Sequence, residues 1–183
     1  CEKDSVAIVG LGGVGLSALL ASIAIGSKKT IAIDLSDEKL ALAKELGANH
    51  TLNPKDENFL ETFKDITSGG ANIAVETAGS GHALKTAYDI TRRGGTTVAA
   101  GMPGPKVEIT LSHLSIAAEE RVIKGSYMGS CIAKRDIPKY LDMFQTGKLP
   151  VDRLLSRKIK FEDLNEAMDR LDDAKTVREV LIP

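Results

Sequence analysis

Neither sign of charge dominates this sequence: its 24 Lys and Arg are matched by 25 Asp and Glu, a net charge of −1. A basic face for nucleic acid or for an anionic membrane surface is thereby excluded. Cysteine is scarce. Cys1 and Cys131 are the only two, giving neither a disulfide framework nor a metal-ligand spacing, which suits a reducing cytoplasm. A signal peptide, a low-complexity segment and any internal repeat beyond a doubled α/β unit are also missing. One uncharged stretch, Ser5 to Ser27, has the length of a membrane span. The glycines between Gly10 and Gly15 divide it into a strand and a helix too short to cross. With 183 residues the chain can bury one sizeable core and some additional structure. It starts at Cys1 with no methionine; a lipidated terminus would have no tether before the first strand, so the chain reads as a domain cut from a longer protein.

What is present is a strand–turn–helix–strand unit from Val6 to Asp34. Val6 to Val9 are apolar and rich in β-branched types, the pattern of a short buried strand. Gly10-Leu11-Gly12-Gly13-Val14-Gly15 follows, a G-x-G-x-x-G placed where that strand ends. A helix of small and apolar residues runs from about Gly13 to Ile25, and a second strand, Thr30 to Ile33, closes on Asp34. Each part has a mechanical reason in a dinucleotide site. One glycine makes the tight turn, the next lets backbone approach a pyrophosphate, and the third lets helix and strand pack closely. The helix N-terminus presents unpaired N–H groups and a partial positive charge to phosphates. Asp34 stands where a carboxylate accepts hydrogen bonds from both hydroxyls of the adenosine ribose.

The same alternation continues. Ser36 is an N-cap ahead of the acids Asp37 and Glu38, and Gly47 ends that helix. Lys39 lies in its first turn, where spacing alone makes it an ordinary solvated lysine. His50 to Leu52 reads as a third strand and Asp56 to Thr67 as a helix with Phe59, Leu60 and Phe63 inward. A fourth strand, Asn72 to Val75, runs into Glu76-Thr77-Ala78-Gly79; a helix spans Gly81 to Thr91; a fifth strand, Thr96 to Ala100, runs into Gly101-Met102-Pro103-Gly104. A short strand near Val107, a helix from Leu111 to Glu119 and a sixth strand from Val122 to Gly125 complete two βαβαβ halves. In open α/β sheets ligands bind beyond the carboxyl ends of the strands, so the small-residue turns converge on one crevice. Beyond Gly129 the pattern differs: a helix from Asp136 to Thr146, a strand from Ile159 to Phe161, a helix from Glu162 to Asp172 and a last strand from Val177 to Ile182.

These stretches carry a resemblance. VAIVGLGGVGLSALLASIAIG, IAIDLSDEKLALAKELGA, the VETAG turn, VAAGMPG, IKGSYMGS and the tail FEDLNEAMDRLDDAKTVREVLIP resemble, in order, the nucleotide-binding part of medium-chain, zinc-type alcohol dehydrogenases. The resemblance implies an α/β Rossmann fold: a doubly wound, six-stranded parallel sheet in the order 3-2-1-4-5-6, with helices on both faces. Residues 1–132 would form the NAD-binding domain, and 133–183 a C-terminal α/β segment packing back on it and toward a catalytic domain this chain does not contain. Catalytic zinc, its ligands and the proton relay belong to that other domain. Cys1 lies too close to the glycine turn to match a zinc ligand, and Cys131 and the scattered His50, His82 and His113 match none.

By the resemblance Gly10 and Gly15 shape the turn, and Gly12, Gly13 and Val14 face the pyrophosphate through their backbone. Asp34 and Lys39 match the residues at the adenosine ribose. Thr77 and Ala78 match the wall beside the adenine or its ribose. Ala100, Met102, Ser126 and Met128 match backbone positions around the nicotinamide, and Arg178 matches a tail arginine at the pyrophosphate, although by position alone it is equally a surface arginine. The acid favours NAD over NADP, because it would repel a 2′-phosphate. The implied reaction is hydride transfer between an alcohol and NAD, reversible toward the aldehyde. The resemblance also implies a dimer or a dimer of dimers through the sheet edge at Arg121 to Ser126. Three other readings stand beside it: a zinc-free quinone or enoyl reductase of the same superfamily, a non-catalytic nucleotide sensor, and an S-adenosylmethionine-dependent methyltransferase.

Overall fold

The computed structural model describes residues 4–172 and 176–183; Cys1 lies outside them. Strand β1 (Ser5–Val9) is buried at all five residues. It is flanked on both sides by parallel neighbours, β2 (Lys29–Ile33) and β4 (Ala71–Glu76). A strand paired on both edges and covered on both faces needs apolar side chains in both directions, which explains the unbroken apolar run from Val6 to Val9. Its side chains alternate between two cores. Val6 and Ile8 join Leu16, Leu19 and Leu20 of helix α1 (Gly13–Ala24) and Leu40 and Ala43 of α2 (Asp37–Glu45). Ala7 and Val9 join Phe59 and Phe63 of α3 (Phe59–Thr67) and Ala83 and Ala87 of α4 (Gly81–Asp89) on the opposite face.

Together with β3 (His50–Leu52), β5 (Thr91–Ala99) and β6 (Val122–Gly125), these strands form one parallel sheet in the order β3-β2-β1-β4-β5-β6. This is the expected doubly wound Rossmann topology, and its direction of winding reverses between β1 and β4. The Ser36 hydroxyl accepts from Lys39 N at 3.4 Å, with Asp37 and Glu38 in the first turn of α2.

Several details depart from the sequence expectations. Leu60 is 47% exposed, because it sits about 100° round α3 from Phe59, whereas Phe59 and Phe63 share a face. No strand forms at Val107: β6 already occupies the edge of β5 that such a strand would need. Strand β5 begins at Thr91, which closes α4 two residues early, and its register against β4 shifts between Ala71 and Ile73. Helix α5 (His113–Glu119) leads into β6, and α6 (Ala133–Gln145) starts three residues before Asp136. The Asp136 Oδ2 reaches back to accept from Ile132 N at 2.9 Å, so this acid holds the first turn of α6 rather than opening it. Of the tail strands, the first lies two residues earlier than expected and the last is half as long. Strands β7 (Arg157–Ile159) and β8 (Glu179–Leu181) pair in a separate two-stranded parallel sheet. A 3-10 turn, Phe161–Asp163, separates β7 from α7 (Leu164–Asp172). Leu149 and Leu154 anchor this segment by joining the buried cluster of α1.

Candidate functional site

The turn from β1 to α1 is fixed by contacts with two other strands. Gly10 N donates to Ile33 O on β2 at 2.8 Å, and Thr77 Oγ1 donates to Gly10 O at 2.7 Å from the end of β4. Gly10 has φ +94°, in the left-handed region, and a Cβ there would lie 2.8 Å from Ala78 N. At Gly15 a Cβ would lie 1.9 Å from Gly10 O, so only glycine allows the first turn of the helix to press against the strand end. Gly12 is the exception: a Cβ there would meet nothing within 4 Å. It is also the N-cap of α1, with no side-chain cap and no acid in the first turn. The leading N–H groups of α1, which have no partner within the helix, thus start beside an open position in a field favouring anions.

Asp34 closes this turn from the side. Its Oδ2 accepts from Leu11 N at 2.6 Å and its Oδ1 from Ser36 N at 2.9 Å. Two backbone donors thus fix the carboxylate beside the glycines, and each oxygen keeps a further lone pair for another donor. On that side lies a cavity of about 190 Å³ lined by Gly10, Ile33, Asp34, Leu35, Ala78 and His82, among others. On the far side lies a wider, mostly apolar one of about 610 Å³. Val14, Thr77, Ala100, Met102, Ser126 and Met128 all line it. Ten of the fourteen residues singled out in the sequence therefore stand at one crevice: Gly10, Asp34 and Ala78 on the narrow side, these six on the wide one, and Gly12 open between them.

Of the remaining four, Gly13 and Gly15 lie within the turn itself. Arg178 comes to it from the tail: a Cβ on Gly13 would sit 3.3 Å from Val177 O and 3.4 Å from Arg178 Nη2. Lys39 lines a hollow of about 430 Å³ with Glu38, Leu42, Ser156 and Val177, the residue whose carbonyl lies against Gly13. Two features were not singled out from sequence. Glu76 is buried at 2% exposure at the end of β4, where its Oε1 accepts from Gly79 N at 2.6 Å and steadies the Thr77–Gly79 turn. A lone acid closing an apolar strand was the available signal. Tyr140, Leu149 and Val151 complete the wide cavity from the C-terminal segment; no local pattern announces a contact so distant in the chain. Among the described residues no group of three or more His, Cys, Asp or Glu is arranged to hold a metal ion, and Cys131 is exposed. No helix among them is long and apolar enough to cross a membrane.

A parallel sheet wound 3-2-1-4-5-6, with a glycine turn, an uncapped helix and a fixed acid at its switch point, defines the class of nucleotide-binding α/β folds. Within that class the chain belongs to the zinc-binding dehydrogenase family, whose pattern matches residues 13–146. It is 35% identical to geraniol dehydrogenase of Castellaniella defragrans over 98% of its own length and 48% of that protein. The crystal structure of benzyl alcohol dehydrogenase from Acinetobacter calcoaceticus superposes with a TM-score of 0.92 at 32% identity, covering 98% of this chain and 49% of that one. A Sinorhizobium meliloti 1021 protein described as a zinc-binding dehydrogenase, crystallised bound to NADP, superposes with a TM-score of 0.86 at 26% identity, covering 99% of this chain and 53% of it. The chain thus spans about half the length of the curated relatives it matches.

Proposed function

We propose that the chain is the NAD-binding part of a zinc-dependent alcohol dehydrogenase. Residues 1–132 form the nucleotide-binding domain, and 133–183 pack back on it and face a catalytic domain carried elsewhere in the protein. The observation that carries this reading is the Asp34 carboxylate locked at 2.6 Å to Leu11 N, beside the open approach to Gly12. The open backbone fits a diphosphate, and the acid beside it fits the ribose attached to that diphosphate. Gly12, Gly13 and Val14 would receive the diphosphate through their amides, with Arg178 beside them. Asp34 would accept from the ribose hydroxyls, with Lys39 near the same sugar. Thr77 and Ala78 would wall the adenosine side. Ala100, Met102, Ser126 and Met128 would frame the nicotinamide through their backbone in the wide cavity, whose apolar lining excludes water.

When bound, NAD supplies the hydride-accepting carbon for oxidation of an alcohol to an aldehyde or ketone. This chain's own work is to bind and orient. Because Asp34 is held by two amides, it has no freedom to turn away from a 2′-phosphate, and this favours NAD over NADP. The metal and the proton relay are assigned to the rest of the protein. Two copies would pair through the free edge of β6, where Val122 and Ile123 are exposed, since an unpaired strand edge is a liability.

A thermal-shift panel of the chain with NAD, NADP and S-adenosylmethionine tests this. The melting temperature should rise with the logarithm of NAD concentration, less with NADP and not at all with S-adenosylmethionine. Asp34→Asn should narrow the gap between the two nicotinamide cofactors. No shift with NAD, or a larger one with NADP, overturns the assignment.

A further inference from the structure

Arg178 is exposed and stands immediately before the three-residue strand β8, yet the backbone of Val177 and Arg178 is held at three points. Ser156 Oγ accepts from Val177 N at 3.0 Å and from Arg178 N at 3.3 Å, and Ser156 N donates to Arg178 O at 2.8 Å. The next residue, Glu179, is locked from α7: Arg170 Nε and Nη2 donate to its two carboxylate oxygens at 2.9 and 2.8 Å. The Glu179 side chain is 2% exposed and the Arg170 side chain 25%. This is a bidentate fork, which fixes direction as well as distance, and the Arg170 guanidinium beside Glu179 holds that carboxyl below the usual carboxylate range. The two ends of the bracket come from different elements, the loop before β7 and helix α7. What they hold in common is a residue whose guanidinium reaches the glycine turn, 3.4 Å from where a Gly13 Cβ would stand.

We infer that Arg170, Glu179 and Ser156 are positioning residues that hold Arg178 against the glycine turn, so that its guanidinium is already in place for a cofactor's diphosphate. The inference rests on the cofactor reading above. An exposed arginine on a free tail loses side-chain and backbone freedom when it grips a ligand. Strand β8, clamped on both flanks, removes that backbone cost before the ligand arrives. Arg170 and Ser156 touch no ligand in this arrangement and act through Arg178 alone.

A double-mutant cycle read by calorimetric NAD binding to the chain tests it. Arg178→Gln should weaken NAD about tenfold, the scale of one charge-assisted hydrogen bond. Arg170→Gln should weaken it by a comparable factor, Arg170→Lys by less, and Arg170→Gln should have no further effect in the Arg178→Gln background. Full additivity of the two losses, or unchanged binding by Arg170→Gln, overturns the inference while leaving the cofactor site intact. Failure of the unaltered chain to bind NAD overturns the cofactor reading, and this inference with it. Should Arg170→Gln not fold, Ser156→Ala reads the bracket from its other flank. A loss that disappears when Arg178 is already Gln supports the bracket, and binding equal to the unaltered chain overturns it.

Discussion

The six-stranded sheet and the segment after residue 132 are held together differently. In the sheet, β1 and most of β2 are fully buried and two apolar clusters fill both faces. In the later segment Ile137, Tyr140, Leu141, Phe144, Phe161 and Met168 are all exposed. That segment contributes Leu149 and Leu154 to the core of α1, buries Ile159 and Ala167, and adds polar locks: Asp136 with Arg135, Glu179 with Arg170, and Ser156 with Val177 and Arg178. Burial dominates the first region. The second depends on a few docked leucines and on charge-assisted pairs, which fix direction but contribute less stability than a core does.

The largest effect should come from breaking the first region. Gly15→Val would drive a side chain into Gly10 O and Thr77 Oγ1. A loss of about 4 kcal/mol, at the severe end for one substitution, is expected in urea unfolding followed by circular dichroism. Next is the joint between the regions. Leu154 is 2% exposed, and Leu154→Ala should cost about 3 kcal/mol. Hydrogen exchange should then report loosening of α6 and β7 ahead of β1, whereas uniform loosening would mean the two regions unfold as one. The smallest effect sharpens the contrast through pH. Arg135, and then the Ile132 amide, hold the Asp136 carboxyl far below its usual range. A carboxyl lowered in the folded state stabilises above its unfolded pKa, about 3.9, and that contribution fades as pH falls further. Asp136→Asn should therefore lower the melting temperature at pH 7, and the gap to the unaltered chain should shrink below about pH 4. A gap independent of pH would mean that the lock works by shape and not by charge.

Legibility followed the same division. Strand order and the crevice could be read because each strand of the sheet repeats one pattern, an apolar run ending in small residues, and the glycine turn sits at a fixed spacing from Asp34. The tail strands β7 and β8 were displaced or overlong in that reading, because three-residue strands have no periodicity and exist only by pairing with each other. Leu60 misled because three apolar residues in five look like one face until the 100° step is applied. At the site, the residues near Gly10 and Asp34 were legible from local spacing. Tyr140, Leu149 and Val151 were not, since they reach the wide cavity only through the docking of the whole segment on α1. Lys39 had no such local signal, since a first-turn lysine looks solvated until the fold sets it in a hollow with Ser156 and Val177.

Two glycines three residues apart, Gly12 and Gly15, answer to different judges. Any side chain at Gly15 is rejected by the chain's own backbone, whereas one at Gly12 meets only emptiness. Drift at Gly15 would be seen as lost protein. Drift at Gly12 would leave a folded, abundant and durable molecule whose failing shows only when something is offered for it to hold.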